Sequence, residues 1–214
     1  MDIRNKKINF LGDSITEGHG CADRENNCFV ARIARDCGAV CRNYGIGGTR
    51  IARQAHPSEN PKHDLDFVGR YDDMDPDADI VVVFGGTNDY GHGKAKFGDL
   101  KDKGEYTFCG AVNLISDMLA EKFGKDKLCF ILPCARIDEE KNEHGKTLKD
   151  YVDAIKNIIG GKGIDVLDFY KGAFPKPTTD KGDEYTADGL HPNDRGHELL
   201  ADKIIAYLKN KKLI

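Results

Sequence analysis

The sequence predicts an α/β fold, a three-layer α/β/α sandwich on a five-stranded parallel sheet, and three observations predict it. Short apolar or β-branched runs occur at Ile8 to Leu11, Ala39 to Arg42, Asp79 to Phe84, Leu128 to Leu132 and Ile164 to Leu167, most of them closed by Gly, Asn or Pro. Longer segments with helical spacing of apolar residues lie between and after them. Strand and helix alternate from end to end, with crossovers long enough for right-handed βαβ units, so the sheet is expected to be parallel and covered on both faces.

The elements follow in order. Ile8 to Leu11 is too short for a helix and closes at Gly12. Phe29, Ile33 and Cys37 then recur at i, i+4 and i+8, one face of a helix, before the second strand-like run opens at Ala39. After the third run, Phe108, Val112, Ile115 and Leu119 repeat the pattern. Leu148, Val152, Ile155 and Ile159 do so after the fourth, and Leu200, Ile204 and Leu208 end the chain. Three connections are long and polar, Thr49 to Asp77, Tyr90 to Tyr106 and Cys134 to Lys146, and loops of that length in a compact domain are more often functional than idle. No repeat or linker divides the chain, and residues 1–214 read as one domain.

Composition narrows the function. Thirty-two basic and thirty-six acidic residues, mixed along the chain, give a net charge of -4, which asks for no nucleic-acid partner. No apolar run approaches the roughly 18 to 20 residues needed to cross a bilayer, and Met1 to Lys7 lacks the apolar stretch of a signal peptide, so a cytoplasmic protein with no membrane partner is expected. A precursor whose signal has been removed would read the same way. The seven cysteines are an odd number and include Cys37, Cys41, Cys109 and Cys129 in helix-like and strand-like segments, which suits free thiols in a reducing compartment. Their spacing does not suit zinc: Cys37 to Cys41 and Cys129 to Cys134 are the tightest pairs, and no histidine pair completes them.

In parallel sheets ligands collect outside the carboxyl ends of the strands, so the residues after each strand carry the argument. The first strand leads into Gly12-Asp13-Ser14-Ile15-Thr16. A serine at a strand-to-helix turn can be a nucleophile, although Asp and Ser there are also ordinary helix caps. The second leads into Asn43-Tyr44-Gly45-Ile46-Gly47-Gly48-Thr49, a glycine-rich turn whose N–H groups can face developing negative charge. Its spacing is not that of a dinucleotide loop. The third leads into Gly85-Gly86-Thr87-Asn88-Asp89, which offers a side-chain amide or, more simply, an Asx turn. Near the C-terminus, Asp188-Gly189-Leu190-His191-Pro192 sets a carboxylate three residues before an imidazole, close enough to hold its neutral tautomer; a cap beside an exposed histidine is the plainer alternative.

Together, Gly-Asp-Ser, the second-strand glycine, Gly-x-Asn-Asp and Asp-x-x-His resemble the four blocks of the SGNH (GDSL-type) hydrolase superfamily, in its order and from residue 12 to residue 192. Each block is weak alone; four in order at strand ends are not. The resemblance implies the flavodoxin-like SGNH sandwich and an ester hydrolase needing no cofactor. It assigns Ser14 as nucleophile, His191 as general base and Asp188 as its orienter, with an oxyanion hole from the Ser14 and Gly48 N–H groups and the Asn88 amide. Ile-Thr follows the serine where the name-giving motif has Leu, and Gly47-Gly48 replaces the commoner Ser-Gly. No Gly-x-Ser-x-Gly elbow is present.

Asp13, Thr49, Arg50, Asp89, His92 and Arg136 are the further candidates for touching substrate. His19, His56, His63, His144 and His197 have no carboxylate context like that of His191 and read mostly as solvent-facing. Charged loops, 39% hydrophobic residues, no Trp and a mean hydropathy of -0.54 argue against an apolar lipid tunnel. A short acyl group on a polar alcohol, such as an acetylated sugar, is the leading small-molecule substrate. The superfamily also holds thioesterases, lysophospholipases and acyltransferases, and a noncatalytic binding module is the rival from another class. Oligomeric state has no signature in the chain.

Overall fold

The computed structural model describes residues 2–210. Five parallel strands, β1 (Lys7–Gly12), β2 (Val40–Gly45), β3 (Ile80–Phe84), β4 (Leu128–Leu132) and β5 (Asp165–Asp168), form one sheet in the order β2-β1-β3-β4-β5. The helices are α1 (Ser14–Glu17), α2 (Arg24–Asn27), α3 (Phe29–Cys37), α4 (Phe67–Arg70), α5 (Thr87–His92), α6 (Phe108–Phe123), α7 (Leu148–Gly161) and α8 (Asp194–Asn210). None of them is long and apolar enough to cross a membrane.

Alternation along the strands divides the core in two. Leu11, Val81, Val83, Leu128, Phe130 and Leu132 point to one face and pack with Phe108, Val112 and Ile115 of α6 and with Val152, Ile155 and Ile159 of α7. Ile8, Phe10, Ile80, Val82, Phe84 and Ile131 point to the other, against Phe29 and Ile33 of α3 and Leu200 and Ile204 of α8. The expected three layers are therefore present, and β1, β3 and β4 are the strands covered on both faces. Local chemistry fixes the helix ends. Thr147 and Asp150 close a reciprocal capping box at the start of α7, and Gly38 ends α3 in the left-handed region at φ 64°.

The structure departs from the sequence reading at two places. β2 continues through Asn43, Tyr44 and Gly45, read above as turn, because Phe10, Leu11 and Gly12 of β1 offer in-register partners to all three. The polar Thr49 to Asp77 connection is also not a bare loop: its Phe67 and Val68, on α4, are buried in the α6–α7 face.

Candidate active site

β1 and α1 are joined by Asp13 alone. A Cβ on Gly12 would lie 2.0 Å from Thr16 Oγ1 and 2.9 Å from the Phe84 carbonyl, so only glycine allows the chain to turn this tightly at the sheet edge. Asp13 caps α1 by accepting from the Ile15 N–H at 3.0 Å, which leaves Ser14 as the first helical residue. Ser14 Oγ lies 3.0 Å from His191 Nε2, across 177 residues of chain. His191 Nδ1 lies 2.7 Å from Asp188 Oδ2, while the His191 and Leu190 N–H groups donate to Asp188 Oδ1 at 2.7 and 3.1 Å. Burial alone would raise the Asp188 carboxyl, but the hydrogen bonds from His191 outweigh it and hold the group below the ordinary carboxylate range. With Asp188 ionised, the network assigns the proton of neutral His191 to Nδ1 and turns the Nε2 lone pair toward Ser14.

Gly12 pairs in register with Gly45 on one side and Phe84 on the other, so the loops after β2 and β3 flank Ser14. Gly48 adopts φ 78°, and its place for a Cβ is filled by the His63 ring at 2.2 Å. The Gly47 N–H is taken by Glu17 Oε2 at 3.0 Å; the Gly48 and Ser14 N–H groups have no partner among the described residues. Asn88, 7% exposed, uses one amide hydrogen on the Thr49 carbonyl at 2.9 Å and retains the other.

Four of the residues expected to reach substrate are almost wholly buried: Asp13, Thr49, Arg50 and Asp89 are at most 3% exposed. Asp89 accepts from the Ile51 and Ala52 N–H groups at 2.9 Å each, so it holds the loop that follows Gly48. Burial pushes its carboxyl up to about 6 against those two bonds. Asp13 is pushed up to about 7 by burial, with the Ile15 N–H opposing and Asp89 adding to the rise. Thr49 Oγ1 donates to the Ile46 carbonyl at 2.7 Å and accepts from Arg70 at 3.1 Å.

Arg70, unremarked in the sequence, is the hub of this support. Its guanidinium donates to the carbonyls of Leu65, Tyr44 and Gly12 at 2.9, 2.5 and 2.7 Å, tying α4 to the ends of β2 and β1. Burial lowers its pKa to about 10, which leaves it charged near neutral pH.

Arg50, His63 and His92 line a cavity of about 480 Å³ with His56, Ser58 and Asn60, beside Gly48. Arg50 is itself buried, donating to Ser58 Oγ at 2.6 Å and pairing with Asp64 at 3.1 Å. His92 keeps an exposed edge, with its ring 5.2 Å from that of His63. Its pKa falls to about 4, through burial first and then the positive charge of Arg50 and the neighbouring His63. Arg136 lies over the Tyr90 ring at 5.5 Å, on the α5 side of the site and outside this cavity. A second cavity, of about 580 Å³, lies along α2 and α3 and includes none of the candidate site residues.

The histidines need correction as well. His197 is fully buried: Nδ1 accepts from the Phe29 N–H at 3.2 Å and Nε2 faces the His19 carbonyl at 3.4 Å. The exposed His19 stands edge-on to His191, with ring centroids 4.3 Å apart. Single-residue patterns carry no sign of either contact.

Fold and site geometry define a hydrolase that acts on esters. Residues 10–199 match the model of the GDSL-like lipase/acylhydrolase family, and the chain belongs to that family. A GDSL lipase of Mycobacterium tuberculosis is 26% identical over 217 residues, covering 95% of this chain and 82% of its own length. Among solved structures, a Lactobacillus plantarum protein is 28% identical, with TM-score 0.80 and coverage of 96% of this chain and 97% of that one. The lipase/acylhydrolase of Enterococcus faecalis shares the fold at 23% identity and TM-score 0.63, with 95% of each chain covered.

Proposed function

We propose that the protein hydrolyses short-acyl esters, acetyl esters above all, of a polar or carbohydrate alcohol through an acyl-Ser14 intermediate. The observation that carries this reading is the unbroken relay from Ser14 Oγ to His191 at 3.0 Å and on to Asp188 at 2.7 Å. His56, Ser58, Asn60 and His63 set hydrogen-bonding groups into the otherwise largely apolar wall of the cavity beside Gly48, which supports an alcohol that carries polar groups of its own.

Ser14 Oγ attacks the ester carbonyl carbon as its proton passes to His191 Nε2, and Asp188 stabilises the imidazolium that results. The carbonyl oxygen gains negative charge and is received by the Ser14 N–H, the Gly48 N–H and the remaining hydrogen of the Asn88 amide. Collapse breaks the bond to the alcohol, which leaves with the proton from His191. Water then gives a proton to His191 and attacks the acyl carbon; the second collapse returns that proton to Ser14 Oγ and releases the carboxylic acid.

Hydrolysis of p-nitrophenyl esters from acetyl to decanoyl, with Ser14→Ala alongside, tests the reading. Activity is expected to fall steeply beyond butyryl and to vanish in the variant. A decanoyl optimum would overturn the substrate assignment, and undiminished turnover by Ser14→Ala would overturn the mechanism.

A further inference from the structure

We propose that His19, Asp188 and His191 form a binding site for a divalent transition-metal ion of the zinc class, and that occupancy of this site switches the hydrolase off. Each of the three offers one ligand atom, and these atoms all lie within 4.8 Å of one another. Two imidazoles and a carboxylate are a donor set that zinc takes, commonly with a water in the fourth position. Zinc bonds of about 2.0–2.1 Å put tetrahedral donors roughly 3.4 Å apart, so no pair has to close by more than about 1.4 Å, and His191 Nδ1 and Asp188 Oδ2, at 2.7 Å, would part slightly if both bind. His19 and Asp188 are exposed and His191 is half-buried, so an ion reaches them from solvent and side-chain rotation supplies the closure.

His19 has no part in the relay described above. His191 hydrogen-bonds Ser14 and Asp188, whereas the His19 ring meets His191 only edge to face, at 60°. A metal ion gives that placement a use. Whichever His191 nitrogen binds the ion, the base is lost: on Nε2 the lone pair that takes the Ser14 proton is consumed, and on Nδ1 the bond to Asp188 is. The inhibitory half of the proposal rests on the acyl-serine reading; the metal site does not.

Arg24 opposes the ion. Its guanidinium donates to His19 Nδ1 at 2.9 Å and sets a positive charge beside the site. Its side chain is 47% exposed and has Glu17 within 3.9 Å as another partner, so it can leave His19 when metal arrives. The structure therefore predicts opposite effects from two neighbouring substitutions, a pattern that nonspecific metal binding would not produce.

The test is a zinc titration of the full chain in a non-chelating buffer, read two ways. Calorimetry on Ser14→Ala, which cannot turn over substrate, measures binding alone; ester hydrolysis by the chain with Ser14 intact measures inhibition, each variant referred to its own metal-free rate. One ion should bind at this site. His19→Ala should weaken both binding and inhibition at least about tenfold, the scale on which even outer-sphere losses act at metal sites. Arg24→Ala should strengthen both, and Mg²⁺ and Ca²⁺, which prefer all-oxygen shells, should do neither. Because Cys21, Cys37 and Cys41 are free and half-buried, Co²⁺ spectra supply the remaining control: visible d–d bands without sulfur charge transfer are expected. Equal zinc sensitivity of His19→Ala and the unsubstituted chain, sulfur-type Co²⁺ bands, or no binding would overturn the site. Binding that depends on His19 in a chain without esterase activity would instead leave the site standing and remove the acyl-serine reading.

Discussion

His197 makes acid stability a sharp test of the packing between α8 and the loop that follows α1. Its Nδ1 accepts the Phe29 N–H, so protonating that nitrogen would set two donors against each other in a site with no exposed surface. Burial, aided by the positive charge of Arg32, lowers its pKa from 6.5 to about 4, against the opposing bond to the His19 carbonyl. The unfolded chain therefore takes up this proton below pH 6.5 while the folded protein refuses it until about pH 4. The contribution is fully present above pH 6.5 and is lost as pH falls through that window, at about 1.4 kcal/mol per pH unit and roughly 3 kcal/mol in all. Asp13 and Asp89 tilt the whole-protein curve the other way, since their raised pKa values make the fold bind protons more tightly than the unfolded chain does, from pH 3.8 up to about 7 and 6. The difference between the unsubstituted protein and His197→Gln cancels those groups. Urea unfolding of both at intervals from pH 7.5 to 4.5 should show the gap in stability narrowing, or reversing in favour of His197→Gln, by about 2–3 kcal/mol as pH falls. A gap that does not change with pH would refute the argument.

Four further outcomes are expected. Asn88→Ala should lower kcat by about 10² to 10³, the cost of one oxyanion donor, with KM nearly unchanged in steady-state assays. Gly48→Ala places a Cβ 2.2 Å from the His63 ring in a left-handed conformation and should abolish most ester turnover; His63→Ala should relieve the clash but not the φ of 78°, so the pair should recover activity only in part. Arg70→Leu leaves the Gly12, Tyr44 and Leu65 carbonyls without this donor and should cost about 3–5 kcal/mol in urea unfolding. Asp188→Asn should keep the fold but lower kcat and alter the shape of the pH–rate profile, because the amide no longer stabilises the imidazolium.

The sheet was legible because strand runs differ from helical spacing in a way that one chain displays. Leu128 to Leu132 was read to the residue, since five consecutive apolar positions buried on both faces leave few alternatives. The second strand was cut short because Asn43, Tyr44 and Gly45 have turn-like chemistry, and only pairing with Phe10, Leu11 and Gly12 makes them strand. Ser14, Asn88, Asp188 and His191 were legible as a set because their blocks resemble, in order, those of the SGNH superfamily; each block alone reads equally as a helix cap or a turn. Arg70 was not: its partners at Gly12 and Tyr44 are 58 and 26 residues away, and no local pattern in the chain separates a buried arginine from a solvated one.

Asp89 shows why the remaining error took the form it did. Asn88 and Asp89 are consecutive residues in the first turn of α5, and a single sequence offers each as a polar group at the ligand edge. Consecutive helical residues point about 100° apart, so both cannot face the same ligand. Asn88 turns to the Thr49 carbonyl with a hydrogen to spare, while Asp89 turns away and fastens the Ile51 and Ala52 N–H groups. The pair thereby grips one loop at three successive peptide units just beyond Gly48, and the loop's shape sets where the Gly48 N–H points. Ionised Asp89 suits this work better than asparagine would, because each of its two oxygens accepts one N–H, whereas an amide would set its own donors against one of them. A residue assigned to substrate on the strength of its chemistry is thus held instead by backbone, and it acts on the site through the loop it holds.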